Sequence, residues 1–225
     1  MPVIIMIKFL WLVFSYLLGA VPSGYLITKF STQKNILEIG WKKTSGSNVF
    51  RNIGKWQGVM TGVFDGLKGY LAVYGARELG LPLEIQMLSG IAALIGNNWS
   101  LFLDFAGGRG LAIFAGAGLF LFPKVLGISL IPAIFLALVW NSSIATIILL
   151  LIIIFIPNYL GQPETATIYT LMSLVPIFVK RLSPIKDIFP LNQKLALFRN
   201  RLIFDNDQFL REPRIKRIIK RLTKS

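Results

Sequence analysis

The chain has 225 residues, 54% of them hydrophobic and 15% charged, with a mean hydropathy of +0.65, which is more apolar surface than an ordinary soluble domain buries. The formal charge is +14, and cysteine and histidine are both absent. Disulfides, thiolate metal sites and thiol nucleophiles are therefore excluded, as are a histidine base and a Ser-His-Asp triad. An all-α, polytopic membrane protein is predicted, and its chemistry falls to Lys, Arg, Asp, Asn, Ser, backbone groups or a substrate's own phosphate.

The first apolar span runs from Val3 to Ile27, with Lys8 near its start and Gly19, Pro22, Ser23 and Gly24 allowing a kink near its end. It is longer than the apolar core of a signal peptide, and no clear small-residue cleavage site follows, so a membrane helix is expected. A basic loop, Lys29 to Lys55, comes next, with Lys29, Lys34, Lys42, Lys43, Arg51 and Lys55 against Glu38 alone. Its charge places it on the cytoplasmic side.

The second span, Gln57 to Leu79, carries Asp65 and Lys68 three residues apart on one helical face. Charges at such a depth are costly and should pair; the pair is either a site or a structural tie between helices. The third span, Leu83 to Leu103, leads into GNNWSLFLDFAGGRG, Gly96 to Gly110. In this stretch Trp99 and Phe102 suit headgroup level, and Asn97 and Asn98 should face water. Gly107, Gly108 and Gly110 permit positive φ values that aim successive N–H groups at one anion, and Arg109 adds a planar fork for phosphate oxygens. A plain tight turn with Arg109 snorkelling is the rival reading.

Beyond the turn, Leu111 to Phe122, Val125 to Trp140, Ile144 to Ile156 and Thr165 to Val179 are four further apolar segments, several shorter than the roughly 20 residues of a full span. Seven segments place the amino terminus outside and the carboxyl terminus in the cytoplasm. All Lys and Arg except Lys8, Lys68, Arg77 and Lys124 then fall on the cytoplasmic side. Merging Leu111 to Trp140 into one helix gives six segments and strands the basic tail outside, so an odd count is preferred; merging the last two segments as well leaves five spans as an alternative. Residues 1–179 form the transmembrane domain, and 180–225 a basic tail. In that tail Ile215, Ile218, Ile219 and Leu222 lie opposite Lys216, Arg217, Lys220 and Arg221, a pattern for a helix on an anionic leaflet. Nucleic-acid binding is disfavoured because no aromatic platform accompanies the charge. A transporter is disfavoured too, because no inverted repeat is visible and the polar groups cluster at one membrane face.

Three ordered blocks carry a resemblance. YLLGAVPSGYLITK (Tyr16 to Lys29), the stretch from Asn35 to Val73 containing SNVFRNIGKWQGVMTGVFDGLKGYLAV, and IAALIGNNWSLFLDFAGGRGLA (Ile91 to Ala112) resemble the bacterial membrane glycerol-3-phosphate acyltransferases that use acyl phosphate, the PlsY family. The resemblance implies transfer of an acyl chain from acyl phosphate to glycerol 3-phosphate, giving lysophosphatidic acid in phospholipid synthesis. It implies a multi-pass enzyme of the bacterial plasma membrane in contact with lipids, with no metal and no diffusible cofactor. By the same resemblance Arg109, Asn48 and Lys68 are the expected catalytic residues. Lys42, Lys43, Ser45, Gly46, Ser47, Asp65, Gly69, Asn97, Gly107, Gly108, Gly110 and, on a looser alignment, Ser142 are the expected substrate-binding residues.

The chain departs from the family pattern at several of its marks. The family's Ser-Gly-Asn run falls on Trp41, Lys42 and Lys43, and its Gly-Ala-Thr-Asn run on Ser45, Gly46, Ser47 and Asn48. Its histidine before the aromatic segment falls on Asn97, and the lysine of its GGKG turn on Arg109. Its final Arg-His-Arg and Glu-Asn-Ile runs meet Lys180, Arg181, Leu182, Ser183, Pro184 and Ile185. Two readings follow. One is an acyltransferase whose phosphate site is rebuilt from Lys42, Lys43, Arg109 and Lys68; the other is a paralogue that binds lipid or phosphate without turnover.

Overall fold

The computed structural model describes residues 2–139, 142–161, 164–182 and 201. Among these the secondary structure is entirely helical: α1 (Pro2–Ala20), α2 (Ser23–Thr32), α3 (Gly46–Asn52), α4 (Lys55–Glu78), α5 (Leu83–Asn98), α6 (Leu111–Leu121), α7 (Pro123–Val139), α8 (Ser142–Leu160) and α9 (Thr165–Leu182). Short 3-10 turns at Ile36–Glu38 and Leu101–Leu103 complete the described elements. Each apolar segment read from the sequence contains a helix. The first is broken rather than kinked, because Pro22 has no N–H and α1 stops before it. The basic loop holds α3, which its composition did not announce. The stretch Pro2–Thr32 and α8 are long and apolar enough to cross a membrane.

The chain divides into two compact units, one ending at Phe122 and one beginning at Pro123. In the first, α1 packs along α5, and α4 packs along α6, α5 and α3. Glycines set these approaches. A Cβ on Gly19 would collide with the carbonyl of Ala93 and one on Gly96 with that of Tyr16, so α1 and α5 touch backbone to backbone. Gly69 meets Ile113 and Gly116 meets Gly66 in the same way, bringing α4 and α6 together. Trp11 fixes the register between α1 and α4 by donating its indole N–H to the Ala72 carbonyl at 3.1 Å. Outward positions remain apolar, with Ile5, Phe9, Val59 and Leu67 all exposed. A lipid solvent accommodates such a surface; water does not.

In the second unit α8 packs on both α7 and α9. Pro132, Pro157 and Pro176 lie inside the three helices. Buried hydroxyls are satisfied locally: Ser129, Thr146 and Ser173 donate to the carbonyls of Val125, Ser142 and Tyr169, four residues back. Thr167 instead reaches across to the Ile154 carbonyl at 2.9 Å and ties α9 to α8. The surface helix expected between Ile215 and Leu222 lies outside the described residues, as do Ser183, Pro184 and Ile185.

Candidate active site

The polar residues singled out in the first unit gather where α1 and α5 end and α2, α3 and α6 begin. The break before Pro22 leaves the last α1 carbonyls without helical partners. Lys68 Nζ donates to the carbonyls of Val21 at 2.7 Å and Gly19 at 3.4 Å. Ser100 Oγ donates to the carbonyl between them, that of Ala20, at 2.6 Å. Lys68 also lies 2.7 Å from Asp65 Oδ1 and 3.3 Å from Ser23 Oγ, and Ser23 donates to Asp65. Asp65 and Lys68 do pair, as their spacing predicted. The pair is buried, at 5% and 7% exposure, and it stabilises a helix break. Lys68, expected to be catalytic, has its donors aimed at the protein itself.

Asn48, also expected to be catalytic, is fully buried at the start of α3. Its Oδ1 accepts from the Trp41 N–H at 3.0 Å and from Asn52 Nδ2 at 2.8 Å. Its Nδ2 donates to the carbonyls of Ile39 at 3.1 Å and Lys43 at 2.8 Å. Both donors and both acceptor positions are thus engaged, and the side chain acts as a peg around which residues 39–43 wind. Ser45 holds the N-cap position of α3 without a side-chain capping bond, and its hydroxyl lies 3.4 Å from that of Ser47. Gly46 rests on Gly58 and Gly62 of α4, and Gly69 on Ile113 of α6; both serve helix packing.

The glycine-rich turn differs from its sequence reading. Of its three glycines only Gly110 has a positive φ, +70°, and it is the residue that enters α6. Gly107 and Gly108 are required by proximity: a Cβ on Gly107 would strike the carbonyls of Asn97 and Asn98, and one on Gly108 the Asn97 amide. The Gly108 N–H donates to the Asn97 carbonyl at 2.9 Å, and Thr44 N–H reaches the Gly107 carbonyl at 3.4 Å. Because the turn folds onto the end of α5, Asn97 and Asn98 are buried and do not face water. Arg109 is also withdrawn, with 9% exposure, and its Cζ lies 4.9 Å from the centre of the Trp41 ring. It does not snorkel.

Lys42 is exposed and Lys43 half-buried beside this loop. Ser142 opens α8 in the second unit, where it is half-buried. Three contributors escaped the sequence reading: Ser23, Ser100 and the Trp41 ring. A helix break at Val21 and Pro22 signals that side chains must satisfy carbonyls, but which ones do so depends on packing. Chemically, a buried guanidinium beside the loop that carries Lys42 and Lys43, in a unit whose outer helix faces are apolar, suits an amphiphile carrying a phosphate.

Residues 9–190 match the family model described as glycerol-3-phosphate acyltransferase. Glycerol-3-phosphate acyltransferase 1 of Dehalococcoides mccartyi is 36% identical over 176 residues, covering 75% of this chain and 85% of that protein. The corresponding protein of Endomicrobium trichonymphae is 29% identical over 203 residues, 87% of this chain and all of that one (100%). The fold is similar to crystal structures of PlsY, an integral membrane glycerol 3-phosphate acyltransferase. The glycerol 3-phosphate form gives a TM-score of 0.69 at 22% identity, covering 80% of this chain and 91% of that one. The lysophosphatidic acid form gives 0.66 at the same identity and coverage.

Proposed function

Since this chain belongs to the glycerol-3-phosphate acyltransferase family, we propose that it acylates glycerol 3-phosphate with acyl phosphate as donor at the cytoplasmic face of a bacterial plasma membrane. Acylation of glycerol 3-phosphate, with lysophosphatidic acid as product, follows from membership. The donor, the membrane and the orientation are our reading. In the reaction an alcohol oxygen of glycerol 3-phosphate attacks the acyl carbon, and the bond from that carbon to the donor's phosphate oxygen breaks. The departing phosphate takes the alcohol's proton, which suits a chain without histidine. No metal or diffusible cofactor enters this scheme.

Arg109 carries the proposal: its buried guanidinium stands beside the glycine turn at the end of the unit where helix termini collect. We assign it to the phosphate of glycerol 3-phosphate. Lys42, Lys43, Ser45 and Ser47 line the adjoining loop, and Asn97, Gly107, Gly108 and Gly110 shape the turn. Asn48, Asp65 and Lys68 act as positioning residues because their polar groups are held by the protein. Gly46 and Gly69 act through packing, and Ser142 remains a substrate-binding hydroxyl on the resemblance alone. We further propose seven crossings, made by α1 with α2, then α4 to α9, with the amino terminus outside and the carboxyl terminus cytoplasmic.

Purified protein in detergent should convert acyl phosphate and radiolabelled glycerol 3-phosphate to lysophosphatidic acid, and Arg109→Ala should lower turnover by about 100-fold or more. Full turnover in Arg109→Ala removes the turn from the site. Equal turnover with an acyl thioester in place of acyl phosphate removes the assigned donor.

A further inference from the structure

Trp41 stands where the resembled family carries the first residue of its Ser-Gly-Asn run, and its surroundings are built to place an indole. It lies between two residues in the left-handed region, Gly40 at φ +61° and Lys42 at φ +53°. Lysine rarely adopts that conformation, so the loop is held there by something else. Asn48 does the holding: it accepts the Trp41 N–H and grips the carbonyls of Ile39 and Lys43 on either side. The Lys42 N–H closes the turn onto the Ile39 carbonyl at 3.1 Å. A Cβ on Gly40 would strike the side chains of Asn48 and Asn52, so the peg and the turn fit each other closely.

The product of this winding is one ring serving two guanidiniums. Arg51 Cζ lies 4.7 Å from the Trp41 centroid and Arg109 Cζ 4.9 Å from it. Tryptophan offers the strongest cation–π attraction of the aromatic side chains. A guanidinium that stacks is held by its flat face, whereas its N–H donors point outward in the plane of the fork. Stacking therefore fixes the direction of the fork by a contact that does not use those donors. Two like charges at one ring also repel each other, and a bound dianion offsets that repulsion.

We propose that Trp41 is a positioning residue of the acyl transfer, one that aims the Arg109 guanidinium at the phosphate of glycerol 3-phosphate. This rests on the reading that Arg109 holds a substrate phosphate. It predicts an effect confined to one substrate, because the ring acts on the recognition of glycerol 3-phosphate and not on the acyl chain.

The test is steady-state kinetics of Trp41→Leu and Trp41→Phe in detergent, with each substrate varied in turn. Leucine keeps apolar bulk and removes the π face; phenylalanine keeps a weaker face. Trp41→Leu should raise KM for glycerol 3-phosphate about tenfold, with kcat and KM for acyl phosphate within about twofold of the parent. Trp41→Phe should recover most of that loss. An unchanged KM for glycerol 3-phosphate in Trp41→Leu overturns the proposal, and so does a fall in kcat with both KM values altered alike. Arg109→Ala separates the two levels. If it abolishes glycerol 3-phosphate saturation while Trp41→Leu does nothing, only the role of Trp41 fails. If Arg109→Ala itself is silent, the phosphate-site reading fails first.

Discussion

Asn48 uses one short side chain to settle the path of five residues, and its burial makes that arrangement costly to lose. Asn48→Ala would remove the acceptor of the Trp41 N–H and one donor each from the carbonyls of Ile39 and Lys43. Unsatisfied buried groups make the expected destabilisation on the order of 3 kcal/mol, seen as a lower Tm in detergent. Asn48→Asp keeps the acceptor but sets a buried carboxylate oxygen against the carbonyls of Ile39 and Lys43, so it should lose at least as much; a parental Tm in Asn48→Asp would argue that the two donated bonds are unimportant. Asp65 and Lys68 are coupled more tightly. Either Asp65→Asn or Lys68→Met alone should cost about 3–5 kcal/mol, because each strands a buried charge. The double variant should cost clearly less than the two single effects added together, and simple additivity would exclude coupling. This pair was legible in the sequence, because residues three apart in a helix share a face. The meeting of Trp41 with Arg109 was not. It joins positions far apart in the chain and depends on a left-handed lysine that no periodicity reveals.

Glycine spacing decides how the helices approach. The turn from Gly107 to Gly110 was recognisable as a place that needs glycine, but positive φ explains only Gly110; the other two are required because backbone passes over the end of α5. The same reasoning separates helical glycines that look alike in sequence. Gly69→Ala and Gly116→Ala would drive a methyl into the carbonyls of Ile113 and Gly66 and push α4 from α6. A methyl on Gly62 would find nothing within 4 Å, so Gly62→Ala should be neutral or stabilise α4 by up to about 1 kcal/mol. Thermal unfolding of the three variants tests the contrast, and a loss in Gly62→Ala as large as in Gly69→Ala would refute it. Long apolar runs made most helices legible. The seven-residue α3 was hidden, since it lies in a charged loop and is too short to show a period.

At the scale of the molecule, charge asymmetry gives orientation where hydropathy gives only segments. A reporter fused after Ser225 should read as cytoplasmic; an external signal would refute the odd number of crossings. The tail that follows α9 owes its expected behaviour to lysine and arginine composition, which sequence supplies without any coordinates. The interruption of the first span at Pro22 has a further consequence. Two of the oxygens it exposes are covered by a single ammonium, that of Lys68, so this one side chain closes most of a gap in the helix backbone. Removing that ammonium by Lys68→Met should invite water inward, and deuterium uptake at the amides from Ser23 to Leu26 in lipid nanodiscs should quicken while that of mid-α5 stays slow.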